Sequence, residues 1–409
     1  MRWIVLQVLS FFLFTHSLSA EVCRWPEVSS KIDLATAKSG QLVSFRFLNT
    51  IPQSQLTKTL PKSLAPQNNV HLYRLLYTGM NLKNELKVMS ALVAIPDVCQ
   101  DQLPSILLLH GTIISDLDAP TNRANEGLAE ASQGFVTWVP DQYGYGATAD
   151  ELHPYLIEKN YVEDGVALLM AARDLSQRLQ KTVFERFFLK GYSAGGYAAL
   201  AIQKALEQDY SDEFPITASA PSAGPYNLLV TGYNLLRFPR TNPVSLTFII
   251  VSYFEYLPQN LQLSDILQNP DEWNVRQLFR GQESYDSVLE KLPNEVDQLI
   301  VPAYRQGFLQ RVEDMIHDKN SDWNQFEQQL LVNSLDQGWL PQTPTRFFHC
   351  VDDEIVPIQS SDRALEKLSS QDNMVSYERI PSPENGPIYR HSNCPGYYMP
   401  INWFQTFLD

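Results

Sequence analysis

The stretch 186–207 constrains this chain more than any other. A short apolar run, Arg186 to Lys190, leads into Gly191-Tyr192-Ser193-Ala194-Gly195, and an alanine-rich stretch continues from Ala194 to Glu207. A brief continuous apolar run suits a strand buried on both faces, the kind found in parallel sheets covered by helices. The Gly-x-Ser-x-Gly segment then reads as a sharp strand-to-helix turn that lifts a serine hydroxyl clear of the backbone. Gly191 and Gly195 leave room for that turn, and Gly196 permits close packing of the helix behind it. A plain glycine-rich loop is the rival reading, and it leaves the strand before and the helix after unexplained.

The rest of the chain fits around this unit. Alternating or apolar runs at Val43 to Phe47, His71 to Tyr77 and Leu86 to Ile95 open a sheet, and Ser105 to Leu109 and Phe135 to Val139 read as fully buried strands. Val162, Val166, Leu169, Met170 and Leu175 recur at helical spacing between Tyr161 and Leu179, which predicts a crossover helix. Ile216 to Ala220 is a further strand, and βαβ connections of this kind impose parallel order. From 222 to 341 the strand pattern lapses into aromatic-rich helical stretches around Val244 to Leu257, Glu283 to Leu292 and Trp323 to Leu335. Thr345 to Cys350 resumes the sheet, followed by a helix at Ser360 to Ser369, a strand at Met374 to Ile380 and a helix at Tyr397 to Leu408. The expected architecture is an α/β-hydrolase fold, a mostly parallel central sheet flanked by helices with an inserted helical cap. Its parts are a leader at 1–20, core segments at 21–221 and 342–409, and the cap at 222–341.

A serine hydroxyl is a weak nucleophile until a base removes its proton, and in this fold the acid and the histidine follow the serine in chain order. Of seven histidines only His317, His349 and His391 lie beyond Ser193, and of these His391 also follows a suitable acid. That acid is Asp353, just past the strand Thr345 to Cys350 and three residues before Val356-Pro357. A solvated acidic turn and a surface histidine are the bland alternatives for the two. His110-Gly111-Thr112 follows the strand Ser105 to Leu109, where the fold supplies its first oxyanion donor, so the backbone N–H groups of Thr112 and Ala194 are the candidate pair. Tyr143 and Tyr145 could stand near the reacting centre or serve only the core.

The first twenty residues carry one basic residue, Arg2, an apolar run from Trp3 to Phe14 and the small-residue stretch Ser17 to Ala20. This reads as a secretory signal peptide cleaved near Ala20, because the run is short of the roughly 20 residues that span a bilayer. No later segment reads as an integral membrane span, so the chain is expected to be secreted or periplasmic. A net charge of -15 disfavours nucleic acid and anionic membrane surfaces. Four cysteines in an exported chain suggest two disulfides among three pairings, with Cys23–Cys99 and Cys350–Cys394 favoured. Metal binding is the alternative, and no Cys-x-x-Cys or His-x-x-x-His spacing supports it.

His110-Gly111-Thr112, Val139-Pro140-Asp141 with Gly144 and Gly146, His153 to Leu156, Gly191 to Gly196, and Ala218 to Pro221 with Gly224-Pro225-Tyr226 together resemble one family. It is the bacterial secreted lipase/esterase family that includes enzymes exported by plant-pathogenic Xanthomonas and Xylella, with fungal secretory lipases more distant. The resemblance spans much of the mature chain. It implies a helical cap over the site and a triad of Ser193, Asp353 and His391. Gln142 departs from the tyrosine usual after the aspartate, and Ala194 from a frequent glutamine.

The expected chemistry is acyl transfer from a small-molecule or lipid carboxylic ester to water, with no metal or cofactor required. Three rivals stay open. A peptidase using the same triad is distinguished by faster cleavage of aminoacyl anilides than of acyl esters. An acyltransferase would acylate an added alcohol in preference to water, and a catalytically dead binding protein would show no turnover at all.

Overall fold

The computed structural model describes residues 23–317, 319–371 and 374–408, so the leader expected at 1–20 lies outside the described residues. The strands are β1 (Val28–Ser29), β2 (Leu42–Ile51), β3 (Val70–Met80), β4 (Leu86–Pro96), β5 (Ser105–Leu109), β6 (Val136–Pro140), β7 (Phe187–Tyr192), β8 (Ala218–Ser222), β9 (Thr345–Cys350) and β10 (Val375–Ile380). They form one sheet in the order β1-β2-β3-β4-β6-β5-β7-β8-β9-β10. β1 to β4 are an antiparallel meander joined antiparallel to β6, and from β6 through β10 every pairing is parallel.

Alternation along the strands explains why both faces are covered. On β5, Leu107 and Leu109 enter one core with the helices Glu158–Arg178 and Ala194–Asp209, while Ile106 and Leu108 enter another that includes Ile401 and Phe404 near the C-terminus. A strand buried on both sides has no polar face to present, hence the unbroken apolar runs in the sequence.

The sheet order places a topological switch at β5. Its two parallel neighbours are β6 and β7, so the connections leaving β5 and β6 diverge, and crevices beyond strand carboxyl ends at such points are where open α/β sheets bind ligands. Leu109 pairs with Gly191, Tyr192 with Ser222, and Cys350 with Ile380, so the residues that follow these strands gather along one edge.

Between β8 and β9 the chain is helical, with main segments Leu228–Leu236, Pro243–Tyr256, Tyr285–Lys291, Pro302–Ile316 and Gln325–Val332. Their starts are chemically marked. Asn227 accepts from the Val230 N–H, Asn242 from the Ser245 N–H with Pro243 next, and Asn324 and Glu327 form a reciprocal capping box. The helix Pro243–Tyr256 is bonded to the core loop before Glu158. The Ser252 hydroxyl donates to the His153 carbonyl at 2.7 Å and accepts from the Tyr155 N–H at 2.6 Å, and the Tyr253 hydroxyl donates to the Leu156 carbonyl at 2.8 Å. The C-terminal helix is shorter than its apolar pattern suggests, Met399–Gln405 after a 3-10 turn at Pro395–Tyr397. Pro395 and Pro400 have no N–H and fit only at helix starts. No helix among the described residues is long and apolar enough to cross a membrane.

Candidate active site

The elbow geometry follows from its glycines. A Cβ on Gly191 would stand 1.9 Å from the Gly195 carbonyl oxygen, one on Gly195 2.0 Å from the Leu109 oxygen, and one on Gly196 2.2 Å from the Ser222 oxygen. Only glycine lets backbone approach this closely. Between them Ser193 is held at φ 61°, ψ -126°, a region that strains a residue with a side chain and persists only where the surroundings enforce it. Its N–H donates to the Ser222 oxygen at 3.0 Å, and its own carbonyl accepts from Tyr197 at 3.1 Å. Ala194 opens the following helix, so its N–H lies in the first turn, where no intrahelical acceptor exists.

The structure brings together the three side chains that the sequence singles out. His391 Nε2 lies 2.8 Å from Ser193 Oγ, and its Nδ1 lies 2.6 Å from Asp353 Oδ2. Asp353 Oδ1 accepts from the N–H groups of Ile355 and Val356 at 3.0 and 2.9 Å. Burial opposes the charge on Asp353, but hydrogen bonds from His349 and His391 outweigh it and hold the carboxyl well below the usual carboxylate range. With an ionised acceptor at Nδ1, the imidazole carries its proton there and presents a bare Nε2 to the serine.

His391 begins a short 3-10 turn, His391–Asn393, tied down on several sides. Its N–H donates to Glu354 Oε2 at 3.1 Å, and its carbonyl accepts from the Tyr192 hydroxyl at 2.9 Å. Disulfides join Cys350 to Cys394 and Cys23 to Cys99. The first of these links the end of β9, three residues before Asp353, to the segment three residues after His391.

Thr112 and Gly111 line a cavity of about 1120 Å³ together with Ser193 and His391. A Cβ on Gly111 would come within 3.7 Å of Ser193 Cβ, which places the loop after β5 in contact range of the serine. The cap side of the cavity is apolar, with Leu235, Leu246, Ile249, Ile250, Phe308 and Phe326 among its walls. Arg123, Asn125, Glu126 and Asn402 add polar groups to the lining. Tyr143 and Tyr145 do not reach it. Both are buried, and the Tyr145 hydroxyl donates to the Ile113 carbonyl at 2.5 Å, so it supports the loop from behind. Among the described residues no group of three or more His, Cys, Asp or Glu side chains is arranged to hold a metal ion.

No protein-family model matches the chain, and no curated protein matches it in sequence. Solved structures do match. A Legionella pneumophila protein named for an assumed hydrolase activity aligns with a TM-score of 0.79 at 22% identity, over 90% of this chain and 98% of its own. The rice cell wall degrading esterase LipA from Xanthomonas oryzae aligns with a TM-score of 0.74 at 24% identity, over 91% and 97%. The fold is that of the α/β-hydrolases. Candida antarctica lipase A aligns less closely, with a TM-score of 0.58 at 18% identity over 88% and 79%. These neighbours share the fold that the sequence motifs imply.

Two residues of this site escape sequence reasoning. His349 lies on β9, before the acid, where chain order gives it no role, yet its Nε2 stands 3.3 Å from Asp353 Oδ2. Tyr155 hydrogen-bonds Thr112 Oγ1 through its hydroxyl at 2.6 Å, from a loop more than forty residues away in sequence. The first stands four residues before Asp353, a spacing that by itself gave no signal. The second lies in the His153 to Leu156 block that carries the family resemblance, which gave it no role.

Proposed function

We propose that the protein is an exported serine carboxylic-ester hydrolase. Ser193 attacks the ester carbonyl while His391 Nε2 takes the hydroxyl proton and then delivers it to the leaving alcohol. Water attacks the acyl-enzyme by the same route in reverse, and Asp353 orients the imidazole and stabilises the imidazolium. The Thr112 and Ala194 N–H groups receive the tetrahedral oxyanion, each such donor being worth roughly 3 kcal/mol in the transition state.

One observation carries this reading: the unbroken contact from Asp353 through His391 to Ser193, at 2.6 and 2.8 Å. The apolar cap side of the cavity supports an ester with a short to medium acyl chain, or a lipid ester, as substrate. The names esterase and lipase on two structural neighbours support ester over amide cleavage. The leader-like N-terminus and paired cysteines support a secreted or periplasmic location.

The test compares p-nitrophenyl acyl esters with aminoacyl anilides on purified protein. Esters are expected to turn over faster, and Ser193→Ala is expected to lose at least about a thousandfold in kcat with an unchanged melting curve. Faster anilide cleavage would make the protein a peptidase, and a fully active Ser193→Ala variant would remove the mechanism.

A further inference from the structure

The carboxylate of Asp353 meets two histidines, and the proposed reaction uses only one. His349 is fully buried on β9. Its Nε2 faces acceptors alone, the Val356 carbonyl oxygen at 3.0 Å and Asp353 Oδ2 at 3.3 Å, so this nitrogen carries a proton. The hydrogen bond is directed at the carbonyl, with the carboxylate contact at its margin. On the other side of the ring, Nδ1 lies 2.8 Å from the hydroxyl of Ser361 in the helix Gln359–Leu368.

Val356 is thus gripped twice. Its N–H holds Asp353 Oδ1 at 2.9 Å, and its carbonyl is held by His349. The turn from Asp353 to Val356 is closed against β9 by one imidazole, and Oδ2 is left between the ring nitrogens of His349 and His391.

We infer that His349, set by Ser361, is a positioning residue that fixes the turn and carboxylate of Asp353 so that Oδ2 faces His391. The inference rests on the serine-hydrolase reading above. His349 touches neither the serine nor the cavity lining and acts through Asp353 and the turn that ends at Val356. The same logic governs metal sites, where a partner behind a functional ligand sets its orientation.

The experiment compares His349→Leu, His349→Gln and Ser361→Ala, with kcat normalised to sites titrated by a fluorophosphonate and with folding followed by thermal melts. For His349→Leu, kcat is expected to fall roughly ten- to a hundredfold with KM unchanged, the scale seen when an outer orienting partner is removed. The acid limb of the kcat/KM profile is expected to move to lower pH, because imidazolium at His391 loses part of its oriented counter-charge. The other groups facing His391, the Glu354 carboxylate and Tyr192, are untouched by these changes. His349→Gln keeps an amide N–H for Val356 and is expected to restore most of kcat and the limb. Ser361→Ala moves both in the same direction as His349→Leu by a smaller step, and it decides the question if His349→Leu fails to fold.

A normalised kcat and acid limb equal to wild type in His349→Leu, or in Ser361→Ala where that variant decides, would overturn the inference. So would a limb displaced to higher pH, which would mean that His349 competes for Oδ2. Wild-type protein that takes up no fluorophosphonate would instead defeat the serine-hydrolase reading, and this inference with it.

Discussion

Asp164 offers a quantitative test of how the core behind the site is built. It lies in the helix Glu158–Arg178, packed beside the helix Ala194–Asp209 that follows Ser193, and its Oδ1 accepts from the Tyr77 hydroxyl. Burial pushes its carboxyl up from 3.8 to about 7; the charge of Asp141 adds to the rise, and the Tyr77 hydrogen bond opposes it. A folded-state pKa raised above the unfolded value gives stability that is complete below about pH 4, falls as pH rises towards 7, and is constant beyond. At about 1.4 kcal/mol per pH unit, this window of about three units amounts to about 4 kcal/mol. Asp164→Asn abolishes the titration and keeps an acceptor for Tyr77. Urea unfolding of both proteins from pH 3 to 8 should show wild type losing about 4 kcal/mol relative to the variant, most of it by pH 7, with the curves becoming parallel towards pH 8. Curves that run parallel across the whole range would refute the argument.

Three further outcomes follow from the geometry. Gly191→Ala forces a methyl against the Gly195 oxygen, and it should cost roughly 4 kcal/mol or more in a thermal melt, or prevent folding. Paired Cys350→Ser and Cys394→Ser changes open a link across 44 residues and should cost about 4 kcal/mol on the chain-entropy scale. They should also lower kcat, because His391 then loses a nearby anchor. Ile249→Trp fills the apolar side of the cavity, so turnover of octanoyl esters should fall at least about tenfold while acetyl esters change by less than about twofold, read as a ratio of kcat/KM values.

The parallel half of the sheet was legible because its strands are buried on both faces and leave unbroken apolar runs. The strand read at Thr345 to Cys350 has those bounds, and the one read at Arg186 to Lys190 runs Phe187–Tyr192. The proposed triad of Ser193, Asp353 and His391 could be named from sequence because each follows a recognisable strand in fixed chain order, and the structure places the three side chains in contact. The cap was harder. Pro243–Tyr256 matched its apolar run, but Leu228–Leu236 and Pro302–Ile316 went unread; the latter buries only Phe308 and Val312 fully and so lacks a clear stripe. Sheet order was not local information either, since β5 lies between β6 and β7 only through pairings that no single segment encodes. The partners of the proposed triad were hidden for the same reason. His349 looks like a core histidine in a strand, and Tyr155 looks like a loop aromatic until Thr112 is placed beside it.

In the proposed reaction one hydroxyl of this chain is made nucleophilic by its neighbours. Treating the folded protein with a fluorophosphonate and mapping the adduct by peptide mass spectrometry tests it directly. One adduct per chain is expected, on Ser193, and none in Ser193→Ala. Labelling at another residue, or undiminished labelling of Ser193→Ala, would contradict it.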